Sequence, residues 1–394
     1  MIFGHQIRKG FFMIKSLLRK LLYFITNILP VNQKKIFVNN FNGSGYGENP
    51  KYIVEEILNR NENFLIYWNI NKNTNSEFPK KIKLVNRFSI CYFYHLATSK
   101  IIINNTRNFM GLEKKVDQIY LQTCHGSVAL KFVEKQAING LNSVYIKDAK
   151  HDGKITDAII SANSLQTNQF KHNFWLNNKT QILEFGLPRN DVLLRNKNNY
   201  ILIKNIKNKM KLFDEEKIIL YAPTFRDDLS VDCYDLDFKE ILKTFNDSFN
   251  KKHKILIRLH PNVAESNTIF KFDEEIVNVT YYPDIQELLL ISDYLITDYS
   301  STLFDFINLN KPVFLVTLDI EKYKNERGLV DDYFNLPFSN SHSNSEFINV
   351  IKNFNIDEYN KKIYLYVSNS KFIQYDDGFA SKKVVDWLML KLKN

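Results

Sequence analysis

The sequence predicts an α/β protein in which strands alternate with helices around a parallel sheet, and three observations carry that prediction. Apolar runs of strand length at Ile218–Arg226, Lys254–Pro261 and Tyr294–Ser301 each break off at polar residues. Between them, Tyr281–Asp293 reads as a turn, a short amphipathic helix and the entry to the next strand, which is one unit of an alternating fold. Successive strands also leave hydroxyl, imidazole and guanidinium groups at their carboxyl ends, where open α/β sheets bind ligands.

Taken in order, residues 7–29 form an apolar run broken by Lys15, Arg19 and Lys20, too short to cross a bilayer. Lys15 and Arg19 share one helix face, while Phe11, Ile14, Leu18, Leu21, Leu22 and Ile25 fall largely opposite. That is the pattern of a basic amphipathic helix lying in a headgroup layer. A helix packed on the neighbouring domain with its cations in water accounts for it equally well.

Lys35–Phe41 reads as a strand, followed by a glycine-bearing loop, Asn42–Pro50, and a helix over Lys51–Asn59. The glycine spacing is not that of a dinucleotide-binding fingerprint. Further strands are expected at Phe64–Trp68, Lys100–Asn104 and Gln118–Thr123, and the alternation continues through residues 154–200. The charged stretch Asn196–Lys217 is the expected link, and Lys371–Asn394 a closing helix that packs back across it. The division is therefore a membrane-associating helix over 1–30, a first domain over 31–200 and a second domain with the closing helix over 201–394.

A chain of 394 residues with 44% hydrophobic content can fill two cores. Cys91, Cys124 and Cys233 are too few and too scattered for a disulfide framework or a zinc site, and with no signal peptide expected a reducing cytoplasm is the natural compartment. The net charge of +10 calls for a polyanionic partner. Nucleic acid is excluded as that partner, because no recognition pattern concentrates the cations. An anionic membrane surface and a phosphate-rich substrate remain.

The chemistry-bearing residues sit at the strand ends. The turn at Asp298–Ser301 leads into a helical pattern, so two hydroxyls, at Ser300 and Ser301, and unpaired helix N–H groups converge as a diphosphate would require. Simple helix capping by the same residues is the alternative. His125 precedes Gly126, which lets a substrate approach the backbone, and Pro261 holds His260 out of helical geometry. Either histidine could instead serve a structural turn. Thr224, Arg226, Arg258 and Arg327 are candidate phosphate-side groups, with a surface cation of no role as the alternative for each arginine. No Asp-x-Asp stands at a strand end, so neither a metal nor another cofactor is called for.

In their order and residues, seven blocks resemble the CDP-glycerol glycerophosphotransferases that build teichoic acids and related capsule polymers. They are His125-Gly126-Ser127, Gly186–Asp191, Tyr221–Arg226, Arg258–Pro261, Thr297–Ser301, Arg327-Gly328 and Asp377–Ala380. The resemblance implies a GT-B type fold, two facing Rossmann-like domains with a cleft between them. It implies His125 as base on an acceptor hydroxyl and the loop Asn42–Pro50 on the acceptor side. It departs from the family at Cys124, where tryptophan is usual, and at Ser127–Leu130, whereas His125 and Lys131 are kept. The implied reaction moves a polyol phosphate from CDP-glycerol or a related CDP-polyol to a glycan or lipid-linked acceptor at the cytoplasmic face of the membrane, with His260 at the reacting phosphate. Sugar transfer from a nucleotide-sugar by a GT-B enzyme and a non-catalytic scaffold of capsule assembly are the competing readings.

Overall fold

The computed structural model describes residues 18–393 apart from 73, 75, 108–112, 128–129, 227, 229, 261–262, 264–269 and 370–373. Lys15 and Pro261 thus lie outside the described residues. Two parallel sheets organise the chain. The first runs β1 (Asn32–Asn39), β2 (Leu65–Ile70), β3 (Ile82–Asn86), β4 (Ser99–Asn104), β5 (Ile119–Gln122), β6 (Ala158–Ile160) and β7 (Gln181–Leu183), in the spatial order β3-β2-β1-β4-β5-β6-β7. The second is built from β8 (Lys217–Tyr221), β9 (His253–Ile257), β10 (Ile276–Asn278), β11 (Tyr294–Thr297), β12 (Val313–Val316) and β13 (Asn340–Ser341), in the order β10-β9-β8-β11-β12-β13.

Both sheets are covered by helices on both faces, and their central strands accordingly read as unbroken apolar runs rather than alternating ones. Val38 pairs with Trp68 on one side and Ile103 on the other, and all three are fully buried. Leu220 does the same between Leu256 and Leu295. β3, β6 and β7 are short, and no separate reading of them is possible from a pattern of three to five residues.

Each sheet reverses its strand order once, between β1 and β4 and between β8 and β11. Chain leaving neighbouring strands there diverges to opposite faces and opens a crevice at the carboxyl ends. In the first sheet a ladder of amides holds that crevice in shape. Asn69 donates to the Asn39 side chain at 2.6 Å, Asn39 to Asn104 at 2.7 Å, and in the following turn Asn105 to Asn40 at 2.6 Å.

The chain crosses between sheets twice. On the outward path the helix Tyr200–Lys209 lies against the second core through Ile206. On the return, the last helix, Ala380–Lys393, buries Val384, Val385 and Leu388 against Ile53 and Ile57 of the first domain. Its first N–H groups, from Ala380 and Ser381, donate to Asp191 at 2.9 and 2.8 Å. A carboxylate at a helix start is the favoured charge there, so the block around Asp191 and the block ending at Ala380 form one joint. The closing helix therefore belongs by packing to the first core, although in sequence it follows the second.

Near the amino terminus residues 18–27 are helical. Tyr23 and Thr26 are buried, and Leu22 and Tyr23 join Phe37, Tyr92 and Phe93 in the core on that face of the first sheet. Leu18, Leu21, Phe24, Ile25 and Ile28 are exposed, and Arg19 lies 3.6 Å over the Phe88 ring. The helix thus has two apolar faces, one docked and one in solvent. Among the described residues no helix is long and apolar enough to cross a membrane.

Candidate active site

The two crevices face each other. A side chain on Gly126, just beyond β5, would come within 3.2 Å of the Ser301 hydroxyl beyond β11, and the Ser127 hydroxyl donates to the Ser301 carbonyl at 3.4 Å. The carboxyl ends of both sheets therefore line one cleft.

His125 stands on the first wall of that cleft. Its Nδ1 lies 2.8 Å from the Asn105 carbonyl. A carbonyl only accepts, so Nδ1 carries the proton and Nε2 keeps a lone pair. The Phe41 ring, 5.1 Å away between centroids, holds the imidazole from the side. Cys124 reaches its place with φ of +52°, a turn that swings His125 out of line with β5. The ring is open to the cleft yet crowded by protein deep within it. That burial lowers its pKa, opposed by the carbonyl bond and Glu48 and reinforced by Arg189 and Lys131.

His260 stands beyond β9 on the opposite wall. Phe225 lies against it with centroids 4.4 Å apart. Burial, followed by the charges of Lys131, His125 and Arg258, takes its pKa down to about 4. His125 thus bears on His260 across the cleft, and with both pKa values lowered the two rings are neutral at pH 7.

The remaining candidates divide into two groups. Asp298 is buried and accepts from the Thr224 N–H at 2.8 Å, the Tyr299 N–H at 2.6 Å and Arg226 at 3.0 Å. Arg226 also grips Asp319 at 2.6 and 2.9 Å and lies about equally over the stacked rings of Tyr299 and Tyr323. Both charges are therefore engaged in shaping the two loops at the β8/β11 reversal. In the same loops the Thr224 hydroxyl is buried and makes no hydrogen bond, and Asp298 leads directly into the Ser300–Ser301 turn.

Ser300 Oγ meets Thr302 Oγ1 at 2.9 Å, and Ser301 begins the six-residue helix Thr302–Ile307 with no side-chain cap bond. Arg258 points to the domain boundary and donates to the Tyr282 carbonyl. Arg327 ends the helix Ile320–Arg327, half-buried, directly before Gly328. Among the described residues no group of three histidine, cysteine or carboxylate side chains gathers to hold a metal ion.

Several residues join the walls through partners that the linear sequence does not indicate. Arg189, itself buried, reaches Glu48 at 2.7 Å and Asp305 at 2.6 Å. Lys51 and Tyr52 both donate to Asp284, at 2.6 and 2.8 Å, and Gln286 donates to Asn190 at 3.0 Å. Leu130–Phe132 adds to Gly328–Val330 as an antiparallel bridge, with the Phe132 N–H on the Gly328 carbonyl and the Val330 N–H on the Leu130 carbonyl. Gly328 has φ of +76°, and a Cβ there would strike the Phe132 ring at 2.4 Å. Two of the sequence blocks, Gly186–Asp191 and Arg327-Gly328, thus act at least partly as joints.

Two parallel sheets whose reversal points face each other across a cleft define a two-domain α/β fold of the GT-B type. Over residues 21–390 the chain matches CDP-Glycerol:Poly(glycerophosphate) glycerophosphotransferase and belongs to that family. It is 32% identical over 380 residues to the teichoic acid poly(glycerol phosphate) polymerase of Bacillus subtilis strain 168, covering 93% of this chain and 50% of that one. To the teichoic acid glycerol-phosphate transferase of Staphylococcus aureus strain NCTC 8325 / PS 47 it is 30% identical over 390 residues, covering 94% and 98%. The chain thus spans about half the length of the Bacillus relative. The solved structure of the wall teichoic acid polymerase TagF aligns with a TM-score of 0.82 at 28% identity, covering 99% of this chain and 98% of that one. A variant of TagF soaked with CDPG aligns with a TM-score of 0.83 at 29% identity, with the same coverage.

Proposed function

We propose that this chain transfers glycerol phosphate from CDP-glycerol to a hydroxyl of a teichoic-acid-like acceptor and releases CMP. The observation that carries the reading is His125, whose Nδ1 is tied to the Asn105 carbonyl so that Nε2 faces the cleft as a base. The acceptor hydroxyl gives its proton to Nε2 while its oxygen forms a bond to the phosphorus that carries glycerol. The bond from that phosphorus to the bridging oxygen breaks, and CMP departs with the electron pair. Thr224, Ser300, Ser301 and the helix start receive the charge that builds on the leaving phosphate. His260, neutral and steadied by Phe225, donates a hydrogen bond to the reacting phosphoryl group. Arg226 and Asp298 shape the donor loops, and Arg258 and Arg327 add positive potential around them. Glycerol is favoured over ribitol because the glycerol-phosphate relatives are the more similar, at 32% against 24%.

The exposed face of Leu18, Leu21, Phe24, Ile25 and Ile28 supports a place at the cytoplasmic surface of an anionic membrane, beside a lipid-linked acceptor. Apolar side chains in that number, unpaired on one face, suit the headgroup boundary.

Incubation with a panel of CDP-polyols and UDP-sugars, with and without acceptor, tests the reading. Acceptor-dependent CMP from CDP-glycerol is the expected result. UDP release would favour sugar transfer, and no turnover of any donor would favour the scaffold.

A further inference from the structure

We infer that Lys131 is a catalytic residue, the cation that contacts the non-bridging oxygens of the phosphoryl group in flight between His125 and His260. The inference rests on the transfer proposed above and deepens it. The segment carrying Lys131 is fixed on both sides by the opposite domain. Leu130 is buried in the core of the second domain, among residues that include Leu289, Tyr299 and Leu303. Phe132 sits where only a glycine at 328 leaves room, and the main chain between them bridges to Leu329. Successive side chains of an extended segment point to opposite sides. With Leu130 turned into the core, Lys131 is turned to the cleft, where its ammonium lies 6.0 Å from the Phe225 ring centroid. The same ring lies against His260.

Lys131 is therefore placed between the walls by its neighbours and its main chain. Its charge acts on both imidazoles, lowering each. The groups facing His125 are Glu48, Arg189 and Lys131, and those facing His260 are Lys131, His125 and Arg258. Around His260 these are cations and a neutral ring, a setting that selects an anion. A fixed ammonium there meets the charge that develops on the transferred group without reorganising, and it adds to the burial that holds both histidines neutral, as a base and a neutral donor need to be.

The test compares Lys131→Met and Lys131→Arg with the unaltered chain, using CDP-glycerol and a soluble glycerol-phosphate oligomer. In Lys131→Met kcat should fall by about 10²-fold or more, while affinity for CMP, which lacks the transferred phosphoryl group, holds by calorimetry. The acid limb of its kcat/KM profile should move up toward the ordinary histidine value of ~6.5, because a cation has left both rings. Lys131→Arg should keep the limb in place and recover part of kcat. Unaltered kcat in Lys131→Met overturns the inference. So does a loss of kcat with an unmoved limb, which would make Lys131 a structural residue. If the unaltered chain itself releases no CMP, the proposed function fails instead, and the two failures are told apart.

Discussion

Arg189 and Asp305 meet across the domain boundary at 2.6 Å, both almost wholly buried, with Glu48 closing the group on the other side of the guanidinium. The carboxyl of Asp305 is held deep enough that burial raises its pKa, while Arg189 pulls it down. Removing one member of such a pair leaves the other charge buried without compensation. Arg189→Ala should therefore lose about 3 to 5 kcal/mol of stability in denaturant unfolding. A loss below about 1 kcal/mol, the range of exposed pairs, would show that water reaches the joint.

His125→Ala removes the base but none of the donor loops. Turnover should fall by about 10² to 10⁴ with CDP affinity nearly unchanged. Ordinary CMP release by this variant would take His125 out of the mechanism.

The Ser300→Ala, Ser301→Ala double variant deletes two hydroxyls yet leaves every main-chain N–H at the helix start. Its affinity for CDP should weaken by roughly 1 to 3 kcal/mol without unfolding. Calorimetry that finds equal affinity would put the diphosphate elsewhere.

The low pKa of His260 has a consequence for acid stability. The unfolded chain takes up a proton near the ordinary histidine value of ~6.5, whereas the folded one resists until about 4. Between those values the unfolded state binds more protons, so the contribution of His260 is complete above the upper value and is lost as pH falls through the window. His95, also lowered to about 4, adds to the same trend, and Asp376, raised to about 6, opposes it. His260→Gln should therefore flatten the fall in melting temperature between those two pH values relative to the unaltered chain. Parallel curves would show that His260 already titrates normally.

The amino-terminal helix calls for a narrower change than its removal, because Tyr23 is part of the core and donates to the Glu113 carbonyl at 2.6 Å. Leu21→Glu with Ile25→Glu alters only the exposed face. Sedimentation with anionic vesicles should be lost while turnover on a soluble acceptor is kept. Tyr23→Ala should instead lower stability by about 3 kcal/mol. Undiminished vesicle binding by the double Glu variant would move the membrane contact to another surface.

Much of this was legible in the chain itself. Apolar runs of strand length bounded by turn residues fit strands buried on both faces, and small or hydroxyl residues after them mark turns that end at a cleft. The positions of β1, β4, β5, β8, β9 and β11, and with them His125, His260 and the Ser300–Ser301 turn, followed from such local patterns. Strands of three residues, and a helix with two apolar faces, carry too little periodicity to be read in the same way.

Tertiary structure alone decided how the charges are matched. Arg226 looked like a phosphate ligand at a strand end, yet Asp298 and Asp319, 72 and 93 residues further along the chain, engage its guanidinium. The fate of a buried charge depends on which opposite charge folding brings within about 4 Å, since the strength of the pair and the penalty for leaving it unmet both grow as water is excluded. Sequence fixes which groups are available and where each strand ends. The partners of Arg189, Lys51 and Asp191, the docking of the last helix on the first core, and the placing of Lys131 between two histidines arise only when both sheets are present to exclude the water.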